Sequence, residues 1–315
     1  MANWAMSKRG HVYFAGLARD CATDLPANLQ ALMSLALSNH DYECQFFFLE
    51  NDSHDQTGEI LNTIQILYPD RVKIWQFPGL AAAKPERIER LSWCRNFLLD
   101  QIRDVAENFA INSIYVPVDL DASIAVSLRP EGFWKAVDCL IKSQMNGIFP
   151  ISQPFYYDLL ALRCVGWLEA DYRELVVASR PLLGSAKALE RHVFSLQHSP
   201  QHFGNAHLIS VESAFGGVGL YRFMAIKNCY YQTRWLGHFF ECEHVSFNRE
   251  VGKLAIDCEW IVQAPPGHIS YQLMGIWRRR YFLASCAIKD CANYLLLMPG
   301  MICRHLDKFF RWLAR

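Results

Sequence analysis

Asp119 and Asp121 stand one residue apart at the end of the apolar run Ile114-Tyr115-Val116-Pro117-Val118. In an extended chain, side chains two apart point the same way, so both carboxylates can face one divalent cation of the kind that bridges a diphosphate. Two acids so spaced also occur where they only cap a loop. The neighbouring chemistry therefore has to decide between the two readings.

Four further clusters carry polar chemistry. Glu50-Asn51-Asp52-Ser53-His54-Asp55-Gln56-Thr57 follows a strand-like segment, where an acid can meet a base or ribose or where Asp52 or Ser53 can cap the next helix. Arg87, Arg90 and Arg95-Asn96 lie on one long helical segment, and forked guanidinium donors suit a diphosphate as well as they suit a solvated face. Ser213 to Arg222 brings Gly216, Gly217 and Gly219 together, allowing either close approach of a ligand or tight packing. Glu241-Cys242-Glu243-His244 offers two carboxylates and an imidazole, which are candidates for a general base and a metal ligand.

These clusters need elements to hold them. Strand-like runs at His11 to Leu17, Cys44 to Leu49, Val72 to Phe77 and Ser113 to Val118 alternate with helical spacing over Leu25 to Leu37, Asp55 to Leu67 and Glu86 to Phe109. That alternation predicts βαβ units and a parallel sheet, with Asp119 at the C-terminal end of the fourth strand, where open α/β sheets bind ligands. In the second half, Trp134 to Lys142 reads as helix and Gly147 to Ile151 as strand. Tyr156 to Val165 reads as a cleft wall, and 180 to 206 as a helix between loops or a mobile excursion.

Composition narrows the class. The chain has 315 residues, 52% of them hydrophobic, with 31 basic and 31 acidic side chains and a formal net charge of zero, so nothing points to nucleic acid as a partner. Its 11 cysteines form no C-x-x-C pair and several fall in apolar segments, as in a reducing compartment. The first ten residues lack the apolar core of an export signal, so a cytoplasmic location is expected. From Ser270 onward eight Lys and Arg stand against two Asp. Met301 to Arg315 also carries apolar and basic residues on opposite helical faces, a pattern that suits either docking on the domain or peripheral contact with the inner face of the membrane over 277–315.

In order, Arg19-Asp20, the Glu50 cluster, R-x-x-R with Arg95-Asn96, D-x-D, Tyr156 to Arg163, the glycine segment and C-E-H resemble a GT-A glycosyltransferase. The order is most similar to the capsule-associated α-1,3-mannosyltransferase family of fungi and its bacterial relatives. The resemblance covers roughly residues 10 to 262, with two departures: the fungal family is anchored at its N-terminus, and its acidic motif differs in detail. It implies a Rossmann-like, mixed and mainly parallel sheet flanked by helices over 1–265, with a nucleotide half over about 10–121 and an acceptor half over 122–265, while the charge pattern marks 266–315 as a basic helical extension. It further implies transfer of sugar from a UDP- or GDP-sugar to a glycan or lipid-linked acceptor in surface polysaccharide synthesis, leaning to retention, with Mn2+ or Mg2+ as cofactor. Arg19, Asp20, Glu50, Asn51, Asp52, Arg87, Arg95, Asp119, Gly216 and Gly217 would then bind the donor. Asp119, Asp121 and His244 would hold the metal, and Glu243, Glu241 and Asp121 would serve catalysis. The alternatives are a sugar-nucleotide nucleotidyltransferase, or a non-catalytic scaffold binding a membrane or partner.

Overall fold

The computed structural model describes residues 10–106, 112–120, 128–197, 204, 206–265 and 276–296. Asp121, the end of the expected long helix over 107–109 and the tail 301–315 lie outside the described residues. The chain forms the expected mixed, mainly parallel sheet flanked by helices. The first half is β1 (Gly10–Ala18), α1 (Leu25–Ser38), β2 (Tyr42–Glu50), α2 (Thr57–Leu67), β3 (Val72–Gln76), α3 (Leu80–Ala83), α4 (Arg87–Ala106) and β4 (Ile114–Asp119). The second half adds α5 (Pro130–Lys142), β5 (Gly147–Gln153), α6 (Tyr172–Leu183), α7 (Ser185–Leu189), a π-helical turn (Glu190–Phe194), β6 (Leu208–Val211), β7 (Leu220–Arg222), α8 (Phe223–Ile226), α9 (Glu243–Val251), β8 (Leu254–Gln263) and α10 (Ile276–Leu296).

The eight strands run in the order β3-β2-β1-β4-β7-β5-β8-β6. Pairs β1·β2, β1·β4, β2·β3 and β5·β8 are parallel, while β7 joins the halves antiparallel to β4 and β5, and β6 lies antiparallel to β8 at the edge. The apolar run of β2 shows why the parallel half was legible. Phe46 and Phe48 enter the core beneath α1, α2 and α5, whereas Phe47 and Leu49 enter the one beneath α4 and α9. A strand covered on both faces has no polar side to alternate with. By contrast β8, with the sequence Leu-Ala-Ile-Asp-Cys-Glu-Trp-Ile-Val-Gln, carries two acids and gave no continuous apolar signal.

α10 packs on the helical excursion of the second half. Asp290 accepts from the Ser185 amide at 2.8 Å and from its hydroxyl, Arg180 Nε lies 3.4 Å from Asp290, and the rings of Phe194 and Phe282 meet edge to face at 5.6 Å. Among the described residues, no helix is long and apolar enough to cross a membrane.

Candidate functional site

The strand order places a switch point between β1 and β4, because the chain winds from β1 outward to β2 and β3 and then returns to the other side of β1. Open α/β sheets bind ligands there, beyond the C-terminal ends of the strands. A cavity of about 500 Å³ occupies that place. Leu17, Ala18 and Arg19 line it from the end of β1, Asn51 from the end of β2 and Asp119 from the end of β4. Arg87, Arg90, Leu91 and Arg95 come from α4, and Cys242, Glu243 and His244 from the start of α9. Arg87, Leu91 and Arg95 are four apart, so one helical stripe faces the cavity. Tyr157, Asp158, Leu160, Ala161, Phe215 and Pro265 complete the wall.

Arg95 is the electrostatic centre. Its Nε donates to Glu243 Oε1 at 3.1 Å and its Nη2 to Asp119 Oδ1 at 3.3 Å, so one buried guanidinium joins the end of β4 to the first turn of α9. Burial opposes its charge, but Glu243 and then Asp119 outweigh that cost and its pKa is raised. Its central carbon also lies over the rings of Phe215 and Tyr231, 5.4 Å and 5.9 Å from their centroids. The neighbouring Arg90 is committed otherwise, with Nη1 donating to the carbonyls of Lys84 at 2.6 Å and Pro85 at 3.2 Å. Arg87 is exposed and makes no hydrogen bond or ion pair among the described residues, which leaves its guanidinium available to an anion.

His244 is held very differently from a surface histidine. It is 3% exposed, stacks on Phe215 with centroids 3.7 Å apart, and meets the edge of Tyr231 at 5.5 Å. Neither ring nitrogen has a hydrogen-bond partner among the described residues. Desolvation, reinforced by the charge of Arg95, pushes its pKa well below 6.5, so the imidazole is neutral at neutral pH and keeps a lone pair for a ligand. Because the folded value is depressed, the unfolded chain binds this proton first and stability falls as pH drops below about 6.5. Denaturant titrations of His244→Gln should therefore show a shallower loss of stability on the acid side than the wild type. Parallel slopes in the two proteins would refute burial of a neutral imidazole.

The backbone explains why the glycines matter. Asp119 N donates to Gly217 O at 2.8 Å and Gly219 N to Pro117 O at 3.1 Å, so the glycine segment clasps the end of β4. Gly216 and Gly217 achieve this with φ of +69° and +82°, conformations that L side chains rarely adopt. Gly216 N in turn donates to Asp158 Oδ2 at 2.9 Å. Asn248 of α9 fastens the same segment by donating to Ser213 Oγ and to the Ala214 carbonyl, both at 2.9 Å.

Seven of the residues to which the resemblance gives a site role thus line one cavity: Arg19, Asn51, Arg87, Arg95, Asp119, Glu243 and His244. Others lie off its wall, each for a visible reason. Asp52, with φ +53°, turns its carboxylate onto the amides of Gly79 and Ala81 at the start of α3, and the Ala81 amide foremost lowers its pKa. Asp20 receives the His54 amide at 2.7 Å and Glu50 the Ser53 amide at 2.8 Å, which ties together the loops after β1 and β2. Gly216 and Gly217 contribute through backbone only. Glu241 is turned away into a buried ion network, bonded to Arg249 at 2.8 Å and 3.2 Å and paired with Arg163 at 3.5 Å. Asp158 is a cavity carboxylate that the sequence reading passed over as an individual residue. The signal for it was the mixed aromatic and polar segment Tyr156 to Val165.

The resemblance implies a divalent cation. Asp119 and the neutral imidazole of His244, whose Nε2 lies 3.9 Å from Glu243 Oε1, are donors of the right kind, and both line the cavity. The described residues there do not form a cluster of three ligands within reach of one ion. With at most these two side-chain donors, a cation there would take its other ligands from diphosphate oxygens and water, as Mg2+ does at nucleotide sites.

No family model matches the chain, and no curated protein matches it. Among solved structures it is similar to residues 1–349 of TarS from S. aureus, at 11% identity and a TM-score of 0.46 over 81% of this chain and 60% of that one. A mannosyltransferase, PcManGT from Pyrobaculum calidifontis, solved with GDP-Man and Mn2+, aligns over 94% of this chain and 66% of its own at 12% identity and a TM-score of 0.46. Glucosyl-3-phosphoglycerate synthase from Mycobacterium tuberculosis, solved with Mn2+, UDP and phosphoglyceric acid, aligns over 83% of this chain and 72% of its own at 14% identity and a TM-score of 0.39. The chain therefore spans less than two thirds of the length of the TarS fragment.

Proposed function

We propose that the protein is a glycosyltransferase that takes its sugar from a nucleoside diphosphate-sugar bound in this cavity. The observation that carries the reading is the convergence of Arg19, Arg87, Arg95, Asn51 and Asp119 on a cavity at the switch point of the parallel half. Base and ribose fit against Ala18, Arg19 and Asn51 at the ends of β1 and β2. The diphosphate lies across the α4 stripe, where Arg87 supplies an uncommitted fork of donors. The sugar then projects toward Phe215, His244 and Asp158.

A divalent cation held by Asp119 and His244 would neutralise the diphosphate as it departs. Arg95 acts at the same moment by fixing the Asp119 carboxylate and adding positive charge behind it. Glu243 is poorly suited to be a base, since it is 3% exposed and its oxygen is committed to Arg95. That commitment favours the retaining course, which requires no carboxylate base on the enzyme. Asp158 is the carboxylate placed to receive an acceptor hydroxyl if the course is inverting. The acceptor class we propose is a glycan or lipid-linked glycan.

The test is thermal stabilisation by UDP and by GDP, each with and without Mn2+. Binding at a hundred times Kd stabilises the fold by about 2.7 kcal/mol. One nucleotide should raise Tm, and more so with Mn2+. A protein indifferent to both nucleotides would overturn the reading.

A further inference from the structure

A second polar cluster lies at the β8·β6 edge of the sheet, built from elements that do not line the cavity. Cys139 on α5, His207 just before β6 and Asp257 on β8 present ligand atoms all within 4.8 Å of one another. Cys139 Sγ lies 3.6 Å from His207 Nε2, and that nitrogen is 4.0 Å from Asp257 Oδ1. The bond lengths of tetrahedral zinc sites place a sulfur and a nitrogen ligand about 3.5 Å apart. The observed sulfur–nitrogen spacing is therefore already that of a loaded site. The imidazole is 48% exposed, so it can turn the small amount that closes the nitrogen–oxygen gap.

Two further features distinguish this cluster from chance proximity. The other ring nitrogen, His207 Nδ1, sits 3.1 Å from Glu259 Oε1, and a proton held there leaves the Nε2 lone pair facing Cys139. A carboxylate behind a ligating histidine is the usual orienting partner at metal sites. The backbone is equally fixed: Cys258 N donates to His207 O at 2.9 Å, Leu208 pairs with Asp257 in the ladder, and Glu259 N donates to Asp257 Oδ1 at 2.9 Å. Asp257 is 3% exposed, and among the described residues no Lys or Arg lies within ion-pair distance of it. A cation at the cluster would supply the countercharge.

We propose that Cys139, His207 and Asp257, oriented by Glu259, bind a Zn2+ ion that fastens α5 to the β8·β6 edge of the sheet. A thiolate, an imidazole and a carboxylate together suit Zn2+ better than Mg2+ or Ca2+, and three protein ligands leave the fourth position to water. The metal takes the thiolate, so the Cys139 proton leaves to solvent as the ion binds.

The full chain, stripped with chelator, is titrated with Zn2+ alone and with Co2+ alone. The expected result is one equivalent bound through this cluster, a higher Tm, and a thiolate-to-cobalt charge-transfer band. Zn2+ should also protect the Cys139 peptide from alkylation, as read by mass spectrometry. Cys139→Ser should abolish the band, and Glu259→Gln should weaken binding about 10- to 100-fold. The band should persist in Asp119→Asn, which separates this site from the cavity. Absence of the band and of protection in the wild type, or unchanged Zn2+ affinity in Cys139→Ser, overturns the proposal.

Discussion

Arg95→Met is expected to cost about 3–5 kcal/mol of folding stability, because it leaves Glu243, and with it Asp119, as acids without their guanidinium. Glu243 is 3% exposed and water cannot replace the lost partner. In a chain of this size such a loss lowers Tm by more than about 5 °C. Arg95→Lys tests geometry rather than charge. An ammonium carries all its N–H groups on one nitrogen, which cannot stand where both Nε and Nη2 of Arg95 do, so an intermediate Tm is expected. A double variant, Arg95→Met with Glu243→Leu, should recover much of the loss, since an apolar pair removes the unpaired charge. Chemical denaturation of the four proteins decides this, and an Arg95→Met protein as stable as wild type would show that the pairing is not what holds α9 to β4.

The second large effect concerns transfer itself. Asp119→Asn keeps the shape and a hydrogen-bonding oxygen for Arg95 but removes the charge that a cation needs. With the donor identified by thermal stabilisation, transfer should fall by about a thousandfold or more, since stabilisation of a departing diphosphate is worth several kcal/mol. The Mn2+-dependent part of the Tm rise should vanish, while the part due to nucleotide alone survives through Arg87 and Asn51. Activity within tenfold of wild type would remove Asp119 from the site.

The parallel half of the fold was legible in the sequence because strands buried on both faces, such as Phe46-Phe47-Phe48, write themselves as unbroken apolar runs. In the second half the helix ending at Lys142 and the strand starting at Gly147 were legible, but the last three strands were not. β6 and β7 have four and three residues, too few for any period to emerge, and β8 hides Asp257 and Glu259 inside a strand. The cavity residues Arg95, Asp119, Glu243 and His244 stood out because their types and order suggested chemistry. What the sequence could not separate was a carboxylate that faces the cavity from one that clasps a loop. Asp52 and Asp119 both stand at strand ends, yet the left-handed backbone of Asp52 sends its oxygens to the amides before and within α3. That choice depends on a neighbouring loop 27 positions away.

The bond between Arg95 and Glu243 spans 148 positions. It should leave a mark on descent as well as on stability. A lineage that loses one partner gains by turning the other apolar, so the two should be kept together or lost together among relatives. Aligned homologues, once gathered, should show these columns changing in step, with Asp119 following them.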